Sequence, residues 1–140
     1  MQIRVKKLIK DAKLPTRSHF DDAGMDIYST EEVVIHPGEY HPIKTGIALE
    51  IPYSFVGLVW EKSGLAHKGI KTVGGVIDAG YRGEIMIQLR NFSNVDYQIQ
   101  KGDKVAQLII QKIEIPELVE VAELTETQRG EGRFGSTGVK

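Results

Sequence analysis

In the stretch GVIDAGYRGEIMIQL (residues 75–89) a carboxylate, Asp78, and a phenol, Tyr81, stand among Gly75, Gly80 and Gly83. A carboxylate held on a turn can orient a water molecule and take its proton. Glycines beside it let the main chain approach a ligand closely. A second acidic group, Asp21, Asp22 and Asp26, surrounds Gly24 in DDAGMDIYS and suits either an oxygen-ligated magnesium ion or ordinary turn chemistry. In EKSGLAHKG (residues 61–69), Lys62, Ser63 and the N–H of Gly64 could meet a phosphate where an apolar run ending at Trp60 turns; a plain surface turn is the alternative. The four histidines show no metal-ligand spacing.

The C-terminal stretch TQRGEGRFGSTGVK carries a literal GxGxxG in GEGRFG. A dinucleotide fingerprint needs a strand before it and a helix after it, and only five residues follow, so that reading is rejected. Free glycine N–H groups with Arg133, Ser136 and Thr137 as further donors make a phosphate wrap instead, a disordered tail being the alternative. No GxxxxGK[ST] loop is present, which excludes P-loop hydrolysis.

The elements that must position these groups are short strands. Ile85, Ile87 and Leu89 alternate with Glu84, Met86, Gln88 and Arg90, the period of a half-buried strand. Together with residues 75–77, a strand over residues 84–91 is expected to form a glycine-flanked hairpin carrying Asp78 and Tyr81. Further strands are expected over residues 3–9, 25–29, 33–36, 43–51, 56–61 and 105–115, separated by turn signals at roughly ten-residue spacing, as in a sandwich or barrel. At 140 residues, 41% hydrophobic and 26% charged, the chain can bury a core as one domain. A net charge of −1 leaves no bulk electrostatic footprint for nucleic acid or an anionic membrane. The absence of cysteine removes disulfides and thiolate sites. Without a signal core or a membrane-length apolar run, a soluble, cytoplasmic protein is expected.

Taken in order, DDAGMDIYS, KSGLAHKGI, GGVIDAGYRGEI, GDKVAQLII and RGEGRFGSTG resemble the five motifs of the homotrimeric dUTP pyrophosphatases (dUTPases). The resemblance implies an all-β, single-domain distorted jelly roll that assembles as a homotrimer with sites shared between subunits. Residues 1–128 would form the β domain and residues 129–140 a flexible glycine-rich arm closing the site. The implied reaction is hydrolysis of dUTP to dUMP and pyrophosphate, which keeps uracil out of DNA and supplies dUMP for thymidylate synthesis. Asp78 then orients and deprotonates the attacking water, Tyr81 lies under the deoxyribose and excludes a 2′-hydroxyl, and the backbone about Val76, Ile77 and Met86 reads uracil. Lys62, Ser63 and Gly64 contact the phosphates, and Gln107 helps place the α-phosphate and the water. Asp26 holds Mg2+ through water. In the arm, Arg133 meets the γ-phosphate, Phe134 stacks on the base, and Gly135, Ser136 and Thr137 finish the phosphate cage.

Two positions depart from the family pattern. Glu61-Lys62 stands where Pro-Arg is usual, which trades a bidentate fork for a point charge and adds a carboxylate near phosphates. Thr72 stands where many members carry Asn or Gly. A dCTP deaminase of the same superfamily is the nearest rival, but Gln88 occupies the position of its proton-shuttling glutamate and His67 that of an expected arginine. A catalytically silent nucleotide-binding module is the third reading.

Overall fold

The computed structural model describes residues 1–132, so the expected roles of Arg133, Phe134, Gly135, Ser136 and Thr137 lie outside the described residues. The described chain begins with β1 (Arg4–Lys7), β2 (Met25–Tyr28), β3 (Val33–Ile35), β4 (Tyr40–Lys44), β5 (Ile47–Glu50) and β6 (Phe55–Trp60). After a short helix, α1 (Ser63–His67), come β7 (Ile70–Thr72), β8 (Val76–Ile77), β9 (Met86–Asn91), β10 (Tyr97–Ile99) and β11 (Lys104–Lys112). No helix of the described residues is long and apolar enough to cross a membrane.

Every ladder is antiparallel. A four-stranded sheet has the order β2-β11-β6-β8, a three-stranded sheet the order β4-β9-β7, and β1-β5 and β10-β3 form two-stranded sheets. The expected all-β jelly-roll class holds. The alternation read from residues 84–90 is reproduced: Ile85, Ile87 and Leu89 are buried while Met86 and Arg90 are exposed. Those three side chains meet Ile27, Ile43, Ile47, Ile70, Ile77 and Leu108 in one continuous core. Burial of each such side chain contributes roughly 1.5–3 kcal/mol.

Several expected elements differ. The run 43–51 is two strands, because Gly46 takes φ +66° and a Cβ there would lie 2.8 Å from the Ile9 side chain. Pro42 lies inside β4, which tolerates it as an edge strand. The three-residue strands β7 and β10 and the five-residue α1 were not foreseen; each is too short to show a period. The long strand expected over 105–115 ends at Lys112.

The expected hairpin is the main correction. β8 pairs with β6, whereas β9 pairs with β4 and β7 in another sheet. The second arm is drawn away by its own bonds: Ile85 N–H donates to Ile47 O at 2.9 Å, and Gly46 N–H donates to the Glu84 carboxylate at 2.8 Å. Thr45 Oγ1 adds a short bond of 2.5 Å to Ile85 O. A gap opens between β8 and β9 where a ladder would have closed.

At the far end of β9, Asn91 is fully buried. Its Nδ2 donates to Ile35 O (2.9 Å) and Val95 O (2.7 Å), and its Oδ1 accepts from Ser93 N–H (2.9 Å) and Ser93 Oγ (2.7 Å). It thereby ties β9 to β3. Asn91→Ala strands these partners and is expected to cost about 2–3 kcal/mol. Urea unfolding at fixed protein concentration measures it; a loss within the error of the wild type would remove Asn91 as the tie.

Candidate functional site

The gap between β8 and β9 is a cavity of about 240 Å3. Residues 72–78 form one wall, Glu84–Met86 and Gln88 the other, with Val59 beneath and Tyr81 at the mouth. It is smaller than the roughly 300–1,000 Å3 of drug-sized pockets, with room for a small heterocycle. β8 is an edge strand. One edge bonds β6, the other has no strand partner among the described residues, and Val76 and Ile77 line the cavity. Gly75 makes this possible at φ +135°: its carbonyl accepts from Val59 N–H at 2.8 Å, and a Cβ there would meet Val59 O at 2.6 Å.

Asp78, Tyr81, Val76 and Met86 sit exposed around this mouth, while Ile77 is buried. A turn fixes the first two: Tyr81 N–H donates to Asp78 O at 3.0 Å, and Arg82 Nη1 donates to Ala79 O at 2.6 Å. The Tyr81 ring folds back over Gly83, where a Cβ would lie 2.3 Å from its Oη, and that hydroxyl donates to Glu84 O at 3.1 Å. Asp78, Val76, Ile77, Tyr81 and Met86 are thus brought together as expected, but across a gap between sheets.

A second cluster lies at the other end of the four-stranded sheet. Asp26 on β2 is register partner of Gln107 on β11, which is opposite Trp60 at the end of β6. The Asp26 side chain is only 6% exposed and lies between two ammonium groups, bonding Lys62 Nζ through Oδ1 and Lys104 Nζ at 2.6 Å through Oδ2. Burial pushes its carboxyl up, but the Lys104 and Lys62 hydrogen bonds and charges together outweigh that and hold it below the usual carboxylate value. The same contact raises Lys104. Gln107 Nε2 donates to Glu61 O at 3.0 Å, and Gly24 packs against its amide, where a Cβ would lie 2.4 Å from Oε1.

Ser63 and Gly64 form the first turn of α1, whose early N–H groups have no intrahelical acceptor. Asp22 serves turn chemistry, accepting from His19 N–H at 2.8 Å. No three His, Asp or Glu side chains converge as a metal site among the described residues.

Sequence reasoning missed Lys104 as the second partner of Asp26, although GDKVAQLII contained it. It also missed where Glu61 points. The Glu61 carboxylate turns to β7, accepting from Thr72 Oγ1 at 2.9 Å and pairing with Lys71 Nζ at 3.3 Å. Its own main-chain N–H holds it below the usual value, against burial and with help from Thr72 and Lys71. The two departures noted in the motifs, Glu61 and Thr72, therefore touch each other.

The two clusters do not meet within one chain. Ile77 is opposite Gly57 and Gln107 is opposite Trp60. Two strand spacings and three to four residues along put Asp78 and Gln107 roughly 15 Å apart. No hydrogen bond or ion pair joins the two groups within one chain among the described residues.

A family model described as dUTPase matches residues 10–138. The chain is similar to the deoxyuridine 5′-triphosphate nucleotidohydrolase of Clostridium tetani, 48% identical over 139 residues, 97% of this chain and 96% of the relative. It is likewise similar to the nucleotidohydrolase of that name from Clostridioides difficile, at 49% over 97% of each. Among solved structures, a Staphylococcus bacteriophage 80alpha dUTPase variant with dUpNHpp superposes with a TM-score of 0.93 at 37% identity, covering 99% of both chains. A variant dUTPase from phage phi11 of S. aureus, described with a structural Mg(II) ion, superposes at 0.82 with 37% identity over 88% of this chain and 98% of that one.

The Asp26 pairs carry a pH signature. A carboxyl held below its unfolded value adds stability that is fully present above that value, 3.8, and lost as pH falls through the lower folded one. Asp26→Asn is expected to cost about 1.5–3 kcal/mol at neutral pH, the scale of a hydrogen bond to a charged group. Thermal melts of both proteins should converge as the medium is taken below about pH 4. An equal deficit at neutral and acid pH would contradict the ion-pair origin.

Proposed function

We infer that this chain, which belongs to the dUTPase family, hydrolyses dUTP to dUMP and pyrophosphate by in-line attack of water on the α-phosphorus. What carries the reading is the open edge of β8 facing a ring-sized cavity, with Asp78 and Tyr81 at its mouth. Main-chain donors and acceptors on that edge can pair with uracil as a base would, and a main chain that lies this close to the base leaves no room for the methyl of thymine. The exposed Tyr81 ring excludes a 2′-hydroxyl from the sugar site. Asp78 holds the attacking water and takes its proton as the new P–O bond forms. The bond from the α-phosphorus to its bridging oxygen then breaks and pyrophosphate leaves. Positioning supplies much of the rate, because a carboxylate is a weak base at neutral pH.

Lys62, Ser63, Gly64 and Gln107 are proposed as the phosphate end. Their distance from Asp78 within one chain favours a site assembled between copies, in keeping with a homotrimer. Arg133, Phe134, Gly135, Ser136 and Thr137 are proposed as the arm, residues 129–140, that closes over nucleotide bound to the domain of residues 1–128. The donor set suits a magnesium ion carried on the triphosphate, which needs few protein ligands and keeps several waters. Asp26 would meet that ion only through water and in competition with its Lys62 and Lys104 pairs, not as part of a protein cage. When bound, such an ion would supply charge neutralisation for the departing pyrophosphate. A cytoplasmic location suits an enzyme of the nucleotide pool.

A nucleotide screen with pyrophosphate detection tests the reading. dUTP is expected to be split, and dTTP, dCTP and UTP left. Ammonia from dCTP would instead restore the deaminase reading. Asp78→Asn keeps size and reach, so turnover should fall by about 10² or more while nucleotide still binds. Near-normal turnover would remove Asp78 from the mechanism.

A further inference from the structure

The geometry points to Glu61 as a positioning residue that fixes Gln107 and Lys62 by anchoring the end of β6 to β7. The ladder between β6 and β11 ends at the pair Trp60–Gln107, so the sheet no longer holds the main chain at residue 61. There the side chain takes over. Its carboxylate, 19% exposed, accepts from Thr72 Oγ1 at 2.9 Å and pairs with Lys71 Nζ at 3.3 Å. The carbonyl held in place by this anchor accepts from Gln107 Nε2 at 3.0 Å, which sets the direction of the amide. Gly24 makes room for the Gln107 side chain where it lies, since a Cβ there would come within 2.4 Å of Oε1. The next residue is Lys62, bonded to Asp26. The carboxylate that the motif comparison placed near phosphates is engaged on β7 by Thr72 and Lys71.

Of the two contacts, the Thr72 bond is the better anchor. The Lys71 side chain is 53% exposed, and surface ion pairs contribute little. The inference rests on the dUTPase reading, and the test separates the two. Steady-state kinetics on dUTP are compared for wild type, Glu61→Ala, Glu61→Gln, Thr72→Val and the Glu61→Ala/Thr72→Val double variant.

Glu61→Ala is expected to lower kcat about tenfold with KM within about threefold, the pattern of lost transition-state placement. Glu61→Gln keeps an acceptor for Thr72 and should retain about a third or more of the wild-type kcat. Thr72→Val alone should lower kcat, yet add nothing in the Glu61→Ala background. An unaffected kcat in Glu61→Ala, a glutamine variant as poor as the alanine one, or additive losses in the double variant would each overturn the assignment while the dUTPase reading stands. If Glu61→Ala fails to fold, the glutamine and Thr72→Val variants decide alone: loss with valine and retention with glutamine support the anchor, any other pattern overturns it. A wild type that leaves dUTP intact overturns the functional reading and this inference with it.

Discussion

Val76 and Ile77 form a strand with one edge paired and the other open, and most of the molecule serves that asymmetry. An open edge next to a partner strand would ordinarily zip shut, since unpaired main-chain groups are costly to bury. Here the prospective partner is held away by Ile47, Gly46 and Thr45, which bond Ile85 and Glu84. The core side chains Ile85, Ile87 and Leu89 fix the same strand from its inner face. The result is a cavity beside an open strand edge, and main-chain groups on such an edge can read a hydrogen-bonding pattern as well as bulk. Gly75 keeps β8 close to Val59, so the wall cannot drift outward.

The second constraint is electrostatic. A nearly buried carboxylate, Asp26, holds two lysines side by side, and like charges so placed would otherwise repel. They remain one-third to two-fifths exposed and able to meet an incoming anion. The Lys62 ammonium is placed by Asp26, so the entropy of ordering a flexible chain is already met.

Much of this was legible beforehand. The alternation at residues 84–90 placed three core side chains and the motif order identified the family. What the sequence hid was relational. Nothing in GVIDAGYRGEIMIQL says that its two arms join different sheets, because the bonds that separate them come from Thr45, Gly46 and Ile47. Gly46 did carry a signal, a lone glycine within an apolar run, which marks a break or bulge. The Lys62–Asp26–Lys104 group spans three segments brought together by register, and register between distant strands has no local mark. Glu61 and Thr72 read as two separate oddities until the fold set β7 beside the end of β6.

We propose that a working site takes Asp78 from one chain and Gln107 from another. Mixing tests it most directly. Asp78→Asn and Gln107→Ala proteins, each nearly silent alone, are dissociated, combined in equal amounts and reassembled. Random assembly should restore about a quarter of wild-type turnover of dUTP, since a site is intact when one variant supplies the aspartate and the other the glutamine. Mixed oligomers that form and stay silent would contradict the claim.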